Sequence, residues 1–308
     1  MSNHSIDVDC TGINYFGIIV NRIMNKIILF YKFIPITDTA TVMFWQRALC
    51  EKLGLKGRIL ISKHGINGTL GGDIKNLKLY TREMKSHPLF DEIMYKWSDG
   101  TGEDFPKLKV KVKDEIVAFG APDELQVDQN GVIGGGVHLK PHEVHKLVQE
   151  RGDEVIFYDG RNMYEAQIGK FKNTIVPNVR TSRDFLQDLE TGEISKYKDR
   201  PIVTYCTGGI RCEILSSLMK NRGYKEVYQI DGGIVKYGEM YGDDGLWLGK
   251  LFVFDNRMQI GFSNHSQDIA VCEVCGKPTS NLVNSTDVRR ELHIVCSECV
   301  HSNSTQQD

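Results

Sequence analysis

Tyr205-Cys206-Thr207-Gly208-Gly209-Ile210-Arg211-Cys212-Glu213 is the stretch that decides the fold of this chain. Before it, Ile202–Tyr205 is a short, nearly all-apolar run, the pattern of a strand buried on both faces. After it, Ile214, Leu215 and Leu218 return at helical spacing. A tight, glycine-containing loop that opens a helix turns its successive N–H groups inward as an anion-binding nest. The same field lowers the pKa of a thiol at its centre, and Arg211 adds a fixed positive charge. Cys206 is therefore a candidate thiolate nucleophile or persulfide carrier; the alternative is a buried structural cysteine. Thr207, Gly208, Gly209, Ile210, Arg211 and Cys212 make up its loop. Cys212 reads either as a resolving thiol or as a packing residue at the helix start.

Upstream, Val155–Tyr158 is a second apolar run, followed by Asp159-Gly160-Arg161. Two such runs, with helical segments between and after them, describe an α/β layer with a buried parallel sheet. Sites in such sheets form at the carboxyl ends of the strands, where Cys206 and Asp159 fall. Asp159 and Arg161 either support the cysteine loop through charge-assisted hydrogen bonds or pair in an ordinary strand-end salt bridge. The spacing Cys206-x4-Arg211 is one residue shorter than the Cys-x5-Arg of cysteine phosphatases. The smaller cradle suits sulfur chemistry better than phosphoryl transfer.

Toward the N-terminus, the pattern predicts a strand at Ile27–Phe33, a helix at Thr39–Leu53, and strands at Arg58–Ser62 and Gly65–Leu70. A second helix capped by Asp73 runs through Lys85, and a fourth strand spans Glu92–Trp97. The order βαββαβ is that of a ferredoxin-like α+β sandwich. Asn67 reads as a hairpin-turn residue, and His64 as a surface histidine. Lys107–Lys113 alternates lysine with apolar residues, so period two places four lysines on one face. That face is either a solvated strand face or a phosphate-contacting ridge.

The distribution of charge leaves the second possibility open. The whole chain carries 38 Lys+Arg against 40 Asp+Glu, a net of −2, which argues against a uniformly basic coat for nucleic acid. Residues 24–113 alone hold 16 against 9, a net of +7. A content of 41 % hydrophobic and 25 % charged residues excludes a disordered or low-complexity chain. No run approaches the ~20 apolar residues of a membrane span, and residues 1–24 read as a poorly ordered extension rather than a signal peptide.

Near the C-terminus, Cys272, Cys275, Cys296 and Cys299 form CxxC-x20-CxxC. Four thiolates so spaced suit a tetrahedral, structural zinc ion with no open position. Reduced cysteines without metal are the alternative, and His293 and His301 are potential substitute ligands that read better as surface residues. This cysteine usage without a secretion signal points to a cytoplasmic protein.

The segment from Val155 to Leu251 resembles the rhodanese domain. Asp159-Gly160-Arg161 is similar to that family's Asp-x-Arg, and Asp231-Gly232-Gly233 to its turn before the last helix. Cys206-Thr207-Gly208-Gly209-Ile210-Arg211-Cys212-Glu213 narrows the resemblance to one subfamily, the tRNA uridine(34) hydroxylases. Gly57-Arg58-Ile59, Gly65-Ile66-Asn67-Gly68-Thr69-Leu70, Arg161-Asn162-x-Tyr164-Glu165 and Phe252-Val253-Phe254-Asp255-x-Arg257-Met258 resemble the same subfamily. The chain departs from the pattern at Lys63-His64, Gly160, Met163 and Ser285, all outside the cysteine loop.

The resemblance covers about residues 26–300. It implies a ferredoxin-like, RNA-facing domain (25–119), a connector (120–150), a catalytic rhodanese α/β domain (151–255) and a cysteine-rich zinc tail (256–308). It implies oxygen-dependent hydroxylation at C5 of uridine 34, with molecular oxygen as cosubstrate, Cys206 as catalytic residue and the tRNA anticodon arm as partner. It hints that the Asn67 strand lines the substrate cleft. Arg58, Lys63, Lys107, Lys109, Lys111 and Lys113 are the expected RNA-backbone contacts. No flavin or nicotinamide motif is present. A persulfide-carrying sulfurtransferase and a non-enzymatic RNA-binding zinc protein are the competing functions.

Overall fold

A computed structural model of the chain describes residues 24–284 and 292–304. The expected extension over 1–24 lies outside them except for Met24, whose carbonyl accepts the Ile74 N–H at 2.8 Å.

The first half builds β1 (Asn25–Phe33), α1 (Thr39–Lys52), β2 (Lys56–Ser62), β3 (Gly65–Asp73), α2 (Ile74–Lys85), β4 (Tyr95–Asp99) and β5 (Leu108–Val112). Both helices start on aspartate caps: Asp38 accepts from Thr41 N–H at 2.9 Å, and Asp73 from Lys75 N–H at 2.7 Å. The sheet order is β4-β1-β3-β2-β5, with the first four strands antiparallel neighbours and β5 added parallel to β2. The first four make the expected ferredoxin-like sandwich.

Period-two alternation sorts the two faces. Ile28, Phe30, Ile59, Ile61, Ile66, Leu70 and Val110 share a core with Val42, Leu77, Tyr80 and Met84 of the helices. Gly68 leaves room for the Phe30 ring, since a Cβ there would lie 2.3 Å from it. Leu29, Tyr31, Leu60, Asn67 and Thr69 face the other way, into a cleft.

Three local expectations are corrected. The fourth strand begins at Tyr95, because turns from His87 to Phe90 and from Phe90 to Ile93 bury Phe90 and Ile93 under the helices. Asn67 is not a turn residue: Ser62 pairs with Gly65, so the hairpin loop is Lys63-His64. Asn67 sits mid-strand between Tyr31 and Leu60. His64 is buried, not a surface histidine; its N–H donates to Ser62 Oγ at 3.0 Å, and burial lowers its pKa.

A short hairpin, β6 (Val127–Asp128) and β7 (Gly131–Val132), leads to the second layer. There follow β8 (Val137–Leu139), α3 (Pro141–Arg151), β9 (Ile156–Asp159), α4 (Met163–Ile168), β10 (Gly169–Phe171) and β11 (Thr174–Ile175). Next come α5 (Phe185–Thr191), β12 (Pro201–Tyr205), α6 (Ile210–Asn221), β13 (Glu226–Ile230), α7 (Gly233–Tyr241) and β14 (Trp247–Gly249). The sheet is β11-β9-β12-β13-β8, and every pairing in it is parallel. Every residue of β9 and β12 is buried, as their unbroken apolar runs require. Helices cover both faces: α5 and α6 share one core with Tyr158 and Ile202, and α3 and α7 another with Phe157, Val203 and Tyr205.

The stretch expected as a connector contributes β8 and α3 to this layer. Phe119, Ala121 and Leu125 lie in the same core as Tyr158 and Phe185. So do Phe33 and Leu60 of the first sheet. Each such burial contributes about 1.5–3 kcal/mol, so the two layers are joined through continuous apolar packing. In the tail, Leu282–Asn284 pairs antiparallel with Leu292–Ile294, and Ala270, Leu282 and Ile294 pack on Ile168 and Phe252.

Candidate active site and metal centre

Cys206 follows the carboxyl end of β12, beside Asp159 at the end of β9. The loop closes on its sulfur: the Gly209 N–H donates to Cys206 Sγ at 3.2 Å. Gly209 sits at φ +100°, a conformation a side chain would strain, and ushers the chain into α6. The start of α7 is packed against the same loop. Ile234 N–H donates to the Cys206 carbonyl at 3.0 Å and Val235 N–H to the Thr207 carbonyl at 3.1 Å. A Cβ on Gly233 would lie 2.5 Å from the Cys206 carbonyl oxygen, which is why Asp231-Gly232-Gly233 ends in glycine.

Burial works against ionisation of Cys206. The hydrogen bond from the Cys212 thiol, the Arg211 charge and the backbone N–H groups of Cys212 and Arg211 outweigh it and bring the Cys206 pKa down to about 6. Cys212 moves the opposite way: burial and the neighbouring thiolate raise it well above the ordinary thiol value, and its sulfur lies 3.7 Å from Thr204 Oγ1. One sulfur is thus held as thiolate and the other as thiol.

Arg211 is fixed by a residue that sequence reasoning did not single out as a site residue. Glu165, fully buried, receives Arg211 Nη1 at 2.5 Å and Nη2 at 2.9 Å, while Nη2 also reaches Thr207 Oγ1 at 3.1 Å. Glu165 Oε1 accepts the Asn162 N–H at 3.0 Å, so the Asn162-x-x-Glu165 capping box was a readable signal for it. Asp159 and Arg161 form the strand-end pair, at 2.9 and 2.6 Å, with both side chains fully buried. Arg161 also donates to the carbonyls of Gly169 at 2.7 Å and Glu165 at 3.4 Å. The pair makes no direct bond to the cysteine loop among the hydrogen bonds of the described residues; its link runs through the α4 backbone that carries Glu165.

The first sheet supplies the opposite wall. Lys96 of β4 donates to the Gly208 carbonyl and stands 5.1 Å from the Tyr31 ring centroid. Tyr31 of β1 donates to Glu213 Oε1 at 3.2 Å, and Glu213 Oε2 also meets Gln229 Nε2 at 3.1 Å and His138 Nε2 at 3.2 Å. Burial lowers the Lys96 pKa, against the pull of the Cys206 and Asp231 charges. Lys96 and Tyr31 escaped the sequence reading because nothing local in β1 or β4 signals a contact more than 100 residues away.

Between the walls lies a cleft of about 660 Å³. Cys206, Thr207, Gly208, Ile210 and Arg211 line it from one side, and Arg58, Lys107, Lys109 and Lys113 from the other. Asn67 lines it too, its Nδ2 donating to the Ile116 carbonyl at 3.0 Å. Lys111 borders a neighbouring groove with Arg47 and Glu51, and Lys63, exposed on the hairpin loop, is not among the lining residues of either.

The second centre is in the tail. The sulfurs of Cys272, Cys275, Cys296 and Cys299 all lie within 4.8 Å of one another, and those of Cys275 and Cys296 within 3.6 Å. A tetrahedral site with metal–sulfur bonds of about 2.3 Å has sulfur–sulfur edges of about 3.8 Å, so this donor set can hold a metal ion. The Cys296 N–H donates to Cys272 Sγ at 3.3 Å, the kind of contact that favours thiolate. His293 is engaged elsewhere, with Glu273 Oε2 at 2.9 Å, and the His301 side chain lies outside the described residues.

Known proteins match this arrangement along its length. The family model described as "UPF0176 acylphosphatase like domain" matches residues 25–116, "Rhodanese-like domain" residues 140–240 and "Rhodanase C-terminal" residues 248–306. A protein of Corynebacterium diphtheriae named tRNA uridine(34) hydroxylase is 61 % identical over 289 residues, 92 % of this chain and 93 % of its own length. Its namesake in Corynebacterium jeikeium is 62 % identical, with 89 % of each chain covered, and that of an Arthrobacter species 59 %, covering 92 % and 96 %. With the three matched regions in the same order and such identity over nearly the whole length, this chain belongs to the tRNA uridine(34) hydroxylase family.

Proposed function

We propose that this protein is a tRNA-modifying oxidoreductase that hydroxylates C5 of uridine 34 in the anticodon to 5-hydroxyuridine. Molecular oxygen is its cosubstrate, one atom entering the base and the other leaving as water with two electrons and two protons from an external two-electron reductant, and Cys206 is its catalytic residue. The carrying observation is a cysteine whose sulfur accepts the Gly209 N–H and is favoured as thiolate by the neighbouring Cys212 thiol and Arg211 charge, in a cleft whose far wall is basic. A C5 atom stacked within an anticodon arm is out of reach of such a sulfur, so the base turns out of the stack into the cleft. The loop N–H groups and Arg211 stabilise negative charge on the sulfur and on what it contacts. The reaction takes place in the cytoplasm, with the anticodon arm as the part of the tRNA that is gripped.

The test is nucleoside mass spectrometry of tRNA from a deletion strain and from the same strain carrying the wild-type chain. Loss of 5-hydroxyuridine-derived nucleosides on deletion and their return on complementation support the reading. Unchanged levels in a strain with no other source of the modification overturn it. Thiosulfate:cyanide sulfurtransfer without any change in tRNA would instead identify a persulfide carrier.

Arg58, Lys107, Lys109 and Lys113 grip phosphate in this reading. Arg58→Glu or Lys109→Glu is expected to weaken tRNA binding several-fold to tenfold and to flatten the slope of log K against log salt by about one contact. Lys63→Glu, on the hairpin loop, is expected to leave that slope nearly unchanged. Filter binding between low and physiological salt checks both.

The four tail thiolates hold zinc, which supplies a structural cross-link and takes no part in the reaction, because a complete set of four sulfurs leaves no open position. Purified protein is expected to release one zinc per chain, and Cys272→Ser almost none. Hydrogen exchange over residues 270–300 should rise in that variant, since metal affinity and folding of such modules are one free energy. Protein that is metal-free with the tail equally protected would sink the assignment.

A further inference from the structure

Phe254 is 62 % exposed, yet the chain carrying it is pinned on both sides. Phe252 and Val253 are buried, and Val253 N–H donates to the Met258 carbonyl at 3.0 Å. Arg257 clasps Asp255 at 2.7 and 2.6 Å and reaches across to β4, donating to Ser98 Oγ at 3.2 Å and the Asp99 carbonyl at 2.8 Å. Asn256 Nδ2 adds a bond to the Glu103 carbonyl at 2.6 Å. The Phe254 ring stands 5.0 Å from Phe252 in an edge-on arrangement, and its centroid is 5.7 Å from the Arg211 guanidinium carbon. It lines the same cleft as Cys206.

An exposed aromatic ring on a fixed backbone, beside a cation and opposite a basic wall, has the three elements that hold a single-stranded base: a π-face, positive charge for the backbone, and low ordering cost. We propose that Phe254 is the stacking platform for the pyrimidine presented to Cys206. This deepens the reading that the substrate is uridine 34 and rests on it. Phe254 is a positioning residue: it makes no bond to the reacting atoms and sets the depth and tilt at which the ring meets the sulfur.

The test uses full-length chain carrying Cys206→Ser, so that binding is read without turnover, and two anticodon stem–loops, one with uridine 34 and one abasic there. Phe254→Leu, which keeps apolar bulk but has no π-face, is expected to weaken binding of the uridine RNA about tenfold. It should leave the abasic RNA unchanged. Phe254→Tyr should bind both as the parent does. With Cys206 restored, Phe254→Leu should lower kcat/KM for hydroxylation by about the same factor. Equal weakening of both RNAs by Phe254→Leu, or none, overturns the proposal. A parent protein that binds the two RNAs alike does so as well. A wild-type enzyme that leaves uridine 34 unhydroxylated overturns the underlying reading instead, whatever Phe254 does.

Discussion

Cys206→Ser is expected to remove 5-hydroxyuridine formation altogether, by at least about 10⁴-fold, while leaving the fold intact. Serine matches cysteine in shape, and Cys206 is 1 % exposed in a loop fixed by its own backbone bonds and those of α7, so packing changes little. What changes is the charge. The wild-type thiol has a pKa of about 6, so most of it is ionised at neutral pH; a serine hydroxyl does not ionise there, and the nest and Arg211 are left facing a neutral group. The wild-type pH profile follows with a definite sign. In the proposed role the thiolate is the active form, so its depressed pKa predicts activity that falls about tenfold per unit as pH drops below about 6 and levels off above it. An ordinary thiol would place that bend near 9. Measured 5-hydroxyuridine above a few per cent of wild type in Cys206→Ser, with thermal midpoints matched, would remove Cys206 from the chemistry.

The fold was legible wherever a single periodicity ruled a whole element. β9 and β12 are unbroken apolar runs because both of their faces are covered, and the Gly-Gly after Cys206 marks the one place where the chain must turn tightly into α6. The two CxxC pairs were equally plain, since their sulfurs do meet. Misreadings arose where one signal has two causes. Asn67-Gly68 looks like hairpin chemistry, yet Gly68 is there to admit the Phe30 ring, and the turn lies at Lys63-His64. Glu92–Trp97 reads as one strand through its apolar Ile93 and Met94, but Ile93 is buried in a turn packed with the helices, and the strand starts at Tyr95. The site was legible in its thiol and its arginine and not in their supports. Glu165, Tyr31 and Lys96 come from other elements, and only the fold brings them to the loop.

Glu165 is the support whose loss should disturb the cysteine loop most. Its carboxylate is fully buried and takes both ends of the Arg211 guanidinium, itself 8 % exposed. Removing one partner of such a pair leaves an uncompensated buried charge and costs about 3–5 kcal/mol. Glu165→Ala also removes the acceptor of the Asn162 N–H and with it the capping box of α4, worth about another 1 kcal/mol. The variant should therefore unfold at a clearly lower urea concentration with an unchanged slope. The effect on Cys206 discriminates more sharply, because two mechanisms predict opposite signs. If Arg211 kept its place, loss of a nearby negative charge would favour the thiolate, and the Cys206 pKa would stay at or below about 6. Without Glu165, however, Arg211 keeps its bond to Thr207, the Phe254 ring and the attraction of the Cys206 and Asp159 charges, but no partner that fixes both ends of the guanidinium. The guanidinium then follows its hydration outward, and the Cys206 pKa rises toward the ordinary thiol value. The expected result is an alkylation profile of Cys206 moved up by about two pH units, with hydroxylation at pH 7 down about tenfold in protein still folded. Glu165→Gln keeps the shape and one acceptor oxygen, and should fall between wild type and Glu165→Ala on both measures. A Glu165→Ala protein with wild-type urea midpoint and an unmoved Cys206 profile would mean that Arg211 needs no counter-charge to hold the loop.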